Sequence, residues 1–210
     1  MKLLVLGGAG LVGARVLQRA LADAGVVRVI APARVELPLN GKLVNPVGGR
    51  LEELVPAAFA EGPDAVICAL GTTIAKAGSK EAFRYVDYEL PLTFAKAAHA
   101  AGVGTYAIVT AMGASADSRS FYLRTKGEVE RDLRAVGLRS LTICRPSLIG
   151  GERNETRAGE SVALTLFRVL GPILPKKLRI NPADSIAASL LAAVTAAKSG
   201  CNFISSQEMT

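Results

Sequence analysis

KLLVLGGAGLVG, residues 2–13, is the stretch that decides the fold. After Lys2 comes an apolar run short enough for a single buried β-strand. Gly7 and Gly8 break it at once, and the residues beyond carry Arg15 and Arg19 on an amphipathic helical pattern. That sequence of events describes a first strand and its exit rather than a secretory leader. Gly7, Gly10 and Gly13 have the spacing G-x-x-G-x-x-G. The first glycine permits a tight turn, the second a close backbone approach to a pyrophosphate, and the third close packing of the helix on the strand. The helix start at Leu11 and Val12 then offers unpaired N–H groups and a partial positive charge to phosphate oxygens. Gly7, Gly10, Leu11, Val12 and Gly13 are therefore expected to form a dinucleotide-binding turn.

Working outward, apolar runs alternate with helical patterns. VVRVIAP (26–32) reads as a second strand, KLVNPV (42–47) holds a short third, DAVICALG (64–71) a fourth and TYAIVTAMG (105–113) a fifth. LRSLTICRPSLIGG (138–151) supplies a sixth and CNFISS (201–206) a closing seventh. Between them lie LEELVPAAF (51–59), RSFYLRTKGEVERDLRAVG (119–137), GESVALTLFRVLG (159–171) and NPADSIAASLLAAVTAAKSG (181–200), all helical in pattern. In the last, Asn181 is expected to cap, with Pro182 at the first helical position. The segment from Lys80 to Ala101 is helical but contains Pro91; a fresh helix with Asp87 as its N-cap would place the proline harmlessly in a first turn. Strands alternating with helices over the whole length predict a doubly wound parallel sheet, the Rossmann-type α/β fold, in one domain. Residues 151–182 are expected to form a small substrate-side insertion.

Composition narrows the rest. The chain has 210 residues, half of them hydrophobic, which suits one large α/β domain and excludes disorder. Its three cysteines, Cys68, Cys144 and Cys201, are widely spaced, and two lie in apolar runs, so reduced thiols in a cytoplasmic protein are expected. The one histidine, His99, lies in an alanine-rich helical stretch and reads as a surface or packing residue. No apolar run approaches the length of about 20 residues that a membrane span needs. The formal charge of +7 is mostly interleaved with acids, as in RTKGEVERDLR (124–134), which reads as a solvated face. KKLR (176–179) is the small uncompensated cluster. Neither nucleic acid nor membrane is expected as a partner; a small-molecule substrate is, with a homodimer possible.

Strand two bears on the choice of cofactor. An NAD site usually ends this strand with an acid that binds the ribose 2′-hydroxyl. Here it ends in APAR, with no acid before Glu36 and with Arg34 free to pair a 2′-phosphate. NADP is expected over NAD. Strand four exits through Leu70, Gly71 and Thr72, where Gly71 allows close approach and Thr72 can hydrogen-bond the cofactor.

Tyr122 and Lys126 are four apart on the helix after strand five, so both project from one face at the carboxyl edge where open α/β sheets bind ligands. An ammonium beside the phenol favours its ionised form, which makes Tyr122 a usable general acid or base. Thr110, at the end of strand five, can orient a substrate carbonyl.

The glycine turn, the strand-five hydroxyl, Y-x-x-x-K and the following Arg-Pro together resemble the short-chain dehydrogenase/reductase superfamily in its extended or atypical branch. LGTTIAKAG (70–78), VDYELP (86–91), FYLRTKGEVE (121–130) and RPSLIGGERNETRAGE (145–160) resemble more particularly its small HTATIP2/TIP30-like group. The resemblance implies an NADP-binding Rossmann fold, Tyr122 as acid/base, Lys126 on the nicotinamide ribose, and Thr110 in the usual serine position. Pro146, Ser147 and Leu148 would line the nicotinamide side. Two departures stand out: the usual Ser-Ser pair reads Thr110-Ala111, and Ser147 stands where glycine commonly follows Arg-Pro.

Three functions are compatible with these residues. An oxidoreductase would move hydride between NADP(H) and a small carbonyl or alcohol. A redox sensor or partner-binding regulator would hold NADP with little turnover. A nucleotide-sugar epimerase or dehydratase would use the same residues but normally needs a larger C-terminal lobe. Arg153 and Arg157 in the polar loop 152–160 suit an anionic substrate and equally a solvated surface.

Overall fold

The computed structural model describes residues 1–38, 40–150 and 179–209. The run after Lys2 forms β1 (Lys2–Leu6), whose last four residues are buried. Parallel partners cover it on both sides, β2 (Arg28–Ile30) and β4 (Ala65–Cys68). A strand with neighbours at both edges and helices on both faces has no wet side, so it reads as an unbroken apolar run.

The described sheet has seven parallel strands in the order β3 (Leu43–Val44), β2, β1, β4, β5 (Thr105–Val109), β6 (Ser140–Arg145) and β9 (Gly200–Ser205). A short parallel pair, β7 (Ile149–Gly150) with β8 (Asn181–Pro182), stands apart from it. On one face, α1 (Leu11–Ala22) and α7 (Ala183–Ala196) bury Val16, Ala20, Ile186 and Leu190 against Leu3, Val5 and Ile67. On the other, α5 (Leu90–Ala100) and α6 (Phe121–Arg134) bury Phe94, Ala98, Val129 and Leu133 against Leu4, Leu6, Val66 and Ile143. Each such side chain contributes about 1.5–3 kcal/mol when fully buried. The doubly wound single α/β domain read from the sequence is the fold observed. Strand order reverses between β1 and β4, which opens a crevice at their carboxyl ends.

Three local expectations are corrected. Asp87 does not cap a helix. Ser79 does so, its hydroxyl accepting the Ala82 N–H at 3.0 Å, and α4 (Lys80–Arg84) runs through a π turn, Tyr85–Glu89, into α5. In a regular helix the Pro91 ring would press on the carbonyl of residue 87. The π turn, where the Leu90 N–H bonds the Tyr85 carbonyl, takes up that misfit and leaves Asp87 buried. Asn181 likewise does not cap α7. It is fully buried, its Oδ1 accepting the Ser147 N–H and the Ser206 hydroxyl, both at 2.8 Å. Finally, the 124–134 segment is not solvated throughout, because Lys126 and Glu130 point inward. The helix read over 159–171, Arg153, Arg157 and most of the 151–182 insertion lie outside the described residues.

Candidate functional site

The turn after β1 is built as its glycines demand. Gly7 has φ +82°, and its carbonyl accepts the Gly10 N–H at 2.8 Å. A Cβ at Gly7 would stand 2.7 Å from the Ala69 carbonyl oxygen, and one at Gly13 only 2.0 Å from that of Gly7. The first contact brings the exits of β1 and β4 together, and the second seats α1 on the turn. Gly10, exposed, sits at the helix start; no side chain caps α1 and no acid occupies its first turn. The amides at Leu11, Val12 and Gly13 therefore keep the positive end of the helix for an outside anion. These residues fit a pyrophosphate.

Arg34 lies just beyond β2, exposed, and has no hydrogen-bond or ion-pair partner among the described residues. At the exit of β4, Leu70 and Thr72 are half-buried and Gly71 is exposed. The Thr72 N–H donates to Asp87 Oδ2 at 2.9 Å.

Tyr122 and Lys126 share one face of α6, which starts at the Ser120 cap and has Gly137 at φ +88° just past its end. The Tyr122 ring packs 5.8 Å from that of Phe83 and is 37% exposed, so the phenol stands at the rim of the site. Lys126 is buried, and its Nζ lies 2.7 Å from Asp87 Oδ1. Burial opposes the ammonium charge, but Asp87 and Tyr122 outweigh that and hold Lys126 above the ordinary lysine range. Cys68, at the end of β4, is pushed up to about 11 by burial and remains a neutral thiol.

Thr110 is arranged differently from its expected role. Thr110 is 3% exposed, and its hydroxyl donates to Glu130 Oε1 at 2.6 Å. Glu130 in turn receives Arg145 Nε at 3.0 Å, and the Arg145 guanidinium lies over the Phe203 ring. A hydroxyl has one proton to donate. Thr110 commits it to this interior lock between β5, α6 and β6, so the donor assigned to a substrate carbonyl is engaged elsewhere. Ala111 beside it offers none. Pro146 is buried with its carbonyl on the Met112 N–H at 2.8 Å; Ser147 is half-buried and held by Asn181; Leu148 is 45% exposed.

The crevice thus collects the glycine turn, Leu70–Thr72, Tyr122 and Lys126 along the carboxyl edge of the sheet. Sequence reasoning missed two of its buried acids. The signal for Asp87 was Pro91, which demands a bulge in any helix that continues through it. The signal for Glu130 was its place one turn beyond Lys126, beside the apolar Val129 and Leu133. A groove of about 590 Å³ lies at the opposite edge, lined by Pro63, Asp64, His99, Gly102 and Arg139.

Comparison with known proteins places the chain in a group. The HIM1 family model matches residues 60–173, more than half of its length. The mitochondrial protein fmp52 of Emericella nidulans is 35% identical over 181 residues, covering 80% of this chain and 76% of its own. Mitochondrial FMP52 of Eremothecium gossypii is 34% identical over 167 residues, covering 80% and 75%. These relatives carry mitochondrial names, which overturns the expectation of a cytoplasmic protein. Among solved structures, MoeE5 in complex with UDP-glucose and NAD superposes with a TM-score of 0.75 at 19% identity, covering 97% of this chain and 75% of that one. The Bordetella bronchiseptica enzyme WbmG in complex with NAD gives 0.71 at 18%, covering 98% and 72%. At such identities the likeness establishes the Rossmann fold. The dinucleotide bound in both of those complexes is NAD, whereas the residues of this chain led to an expectation of NADP.

Proposed function

The chain belongs to the family of the HIM1 model and the fungal FMP52 proteins, and from its site we propose that it binds a nicotinamide dinucleotide and acts as an oxidoreductase on a small carbonyl or alcohol. The observation that carries this reading is the glycine turn at the β1–β4 crevice, with Tyr122 and Lys126 on the same edge. Gly7, Gly10, Leu11, Val12 and Gly13 would hold the pyrophosphate, and Leu70, Gly71 and Thr72 would flank it. Lys126 would face the nicotinamide ribose, and Pro146, Ser147 and Leu148 the nicotinamide. The cofactor supplies a hydride carrier; the chain supplies position and a proton.

That proton belongs to Tyr122. Its hydroxyl is at the rim, so a carbonyl oxygen can reach it, and it gives its proton to the alkoxide that forms or accepts one in reverse. Lys126, one turn further along the same helix face, keeps its ammonium on the phenol's side of the site. Thr110 takes no part, because its hydroxyl serves Glu130. The half-exposed phenol favours turnover over a purely sensing role, which would be served as well by a filled site.

Arg34 supports a preference for the 2′-phosphate of NADP, because it is exposed, unpaired among the described residues and unaccompanied by an acid before Glu36. Replacing Tyr122 with phenylalanine should abolish consumption of reduced cofactor with a panel of carbonyls and leave dinucleotide affinity within about twofold. Unchanged turnover in that variant would remove Tyr122 from the mechanism. Arg34→Asp should reverse the NADPH-over-NADH preference, and an unaltered ratio would remove Arg34.

A further inference from the structure

The chemistry above leaves one buried charge at the site without a task. Asp87 is 1% exposed and sits in the π turn that Pro91 imposes. Its two oxygens reach two different elements: Oδ1 lies 2.7 Å from Lys126 Nζ on α6, and Oδ2 accepts the Thr72 N–H at 2.9 Å in the loop leaving β4. A Cβ at Gly71 would stand 3.6 Å from Oδ1, so that loop runs directly over the carboxylate. Among the described residues, Asp87 is the acid that pairs with Lys126.

We propose that Asp87 is a positioning residue, which ties the cofactor-side loop at Gly71–Thr72 to the Lys126 ammonium and so sets both relative to Tyr122. The inference rests on the reading above and gives the site a further member. Stability alone is a poor reason for such a pair, since an apolar pair of like volume commonly does as well. The groups that face Lys126 are Asp87 from the π turn, Tyr122 from its own helix and the neutral thiol of Cys68 from β4, with Tyr106 of β5 beside that thiol. Among these groups Asp87 is the carboxylate, and it is the one in ion-pair contact with the ammonium. Without it, burial acts on Lys126 against Tyr122 and Cys68 alone, and the ammonium gives up its proton earlier.

The test uses Asp87→Asn, which keeps the shape and an oxygen for the Thr72 amide but removes the charge. Expected are a native circular dichroism spectrum, at least tenfold weaker binding of the preferred dinucleotide, and an alkaline loss of that binding that begins at lower pH than in the wild type. Wild-type affinity with an unshifted pH profile would overturn the inference; a role in folding alone lowers the melting temperature without moving the profile. A second readout needs no cofactor. In protein labelled with ¹³C-lysine, the Lys126 signal, assigned by its loss in Lys126→Met, should titrate at lower pH in Asp87→Asn than in the wild type. Identical titrations would overturn the inference. If the wild type binds no dinucleotide, the proposed function falls and the lysine titration still decides on Asp87. Should Asp87→Asn not fold, Asp87→Glu serves: the charge remains, the lysine titration stays near wild type, and affinity drops because the carboxylate is displaced by a methylene. Wild-type affinity in Asp87→Glu would overturn the inference.

Discussion

At Gly13 a single hydrogen atom separates a working turn from a broken one. A methyl group there would stand 2.0 Å from the Gly7 carbonyl oxygen, and backbone cannot swing aside as a side chain would. Gly13→Ala should cost at least about 2 kcal/mol in stability, in the range of overpacking, and remove dinucleotide binding. Gly41→Ala, with nothing within 4 Å of the new Cβ, should change neither. Equal behaviour of the two in thermal melts would show the turn to be looser than described. Thr110 and Tyr122 separate structure from chemistry in the same way. Thr110→Val deprives the buried Glu130 of a donor and should cost about 1–3 kcal/mol, while turnover per folded molecule persists. Tyr122→Phe removes an exposed hydroxyl and should move stability by less than about 0.5 kcal/mol, while turnover disappears. For the Asp87–Lys126 pair, losing one partner should cost about 3–5 kcal/mol. Lys126 holds its proton more tightly in the folded chain than in the unfolded one, so this stabilisation is complete below the ordinary lysine value of about 10.4. It fades as pH rises through the raised folded value. The melting-temperature gap between wild type and Lys126→Met should accordingly hold to about that pH and narrow above it. The glycines and the Tyr–Lys spacing were legible in the sequence because each is a local pattern. The partners of Thr110 and Lys126 were not, because hydrogen bonds across 20 and 39 positions leave no local trace.

Among the elements, the helix through Pro91 shows how far a local rule reaches. A proline in a helical pattern signals either a new start or a bulge, and both leave the same residues apolar. The fresh-helix reading failed because Ser79 already supplied a cap, and a π turn was enough to absorb the ring. The closing strand was legible, and its consequence is chemical. Cys201 lies exposed on β9, whereas Cys68 and Cys144 are buried and pushed up to about 11 and about 12. A disulfide reagent at pH 8 should therefore label Cys201 alone in the native protein and all three thiols after denaturation. Fast labelling of Cys68 or Cys144 in the native chain would contradict the packing of β4 or β6. Asn181 marks the opposite case. Asn-Pro before a helical pattern looks like a cap, yet here the amide pins β8 to Ser147 and Ser206, contacts that only the assembled carboxyl edge provides.

For the whole molecule, the sheet order places the crevice between β1 and β4, and the glycine turn and Leu70–Thr72 leave the two strands that flank it. This much followed from alternating strands and helices, since right-handed crossovers leave few other arrangements. Cellular location did not follow, because mean composition and buried thiols describe any reduced compartment. Cofactor identity stands between, resting on one arginine. The most direct measurement is a thermal melt of the wild-type chain and of Gly13→Ala with NADPH, NADH, NADP and NAD, each at saturating concentration. A ligand at a hundredfold its Kd stabilises by about 2.7 kcal/mol, which is a rise of about 5–10 °C for a chain of this size. The account predicts such a rise in the wild type, largest for a 2′-phosphorylated form, and its loss in Gly13→Ala. A wild-type melt that none of the four dinucleotides moves would contradict it.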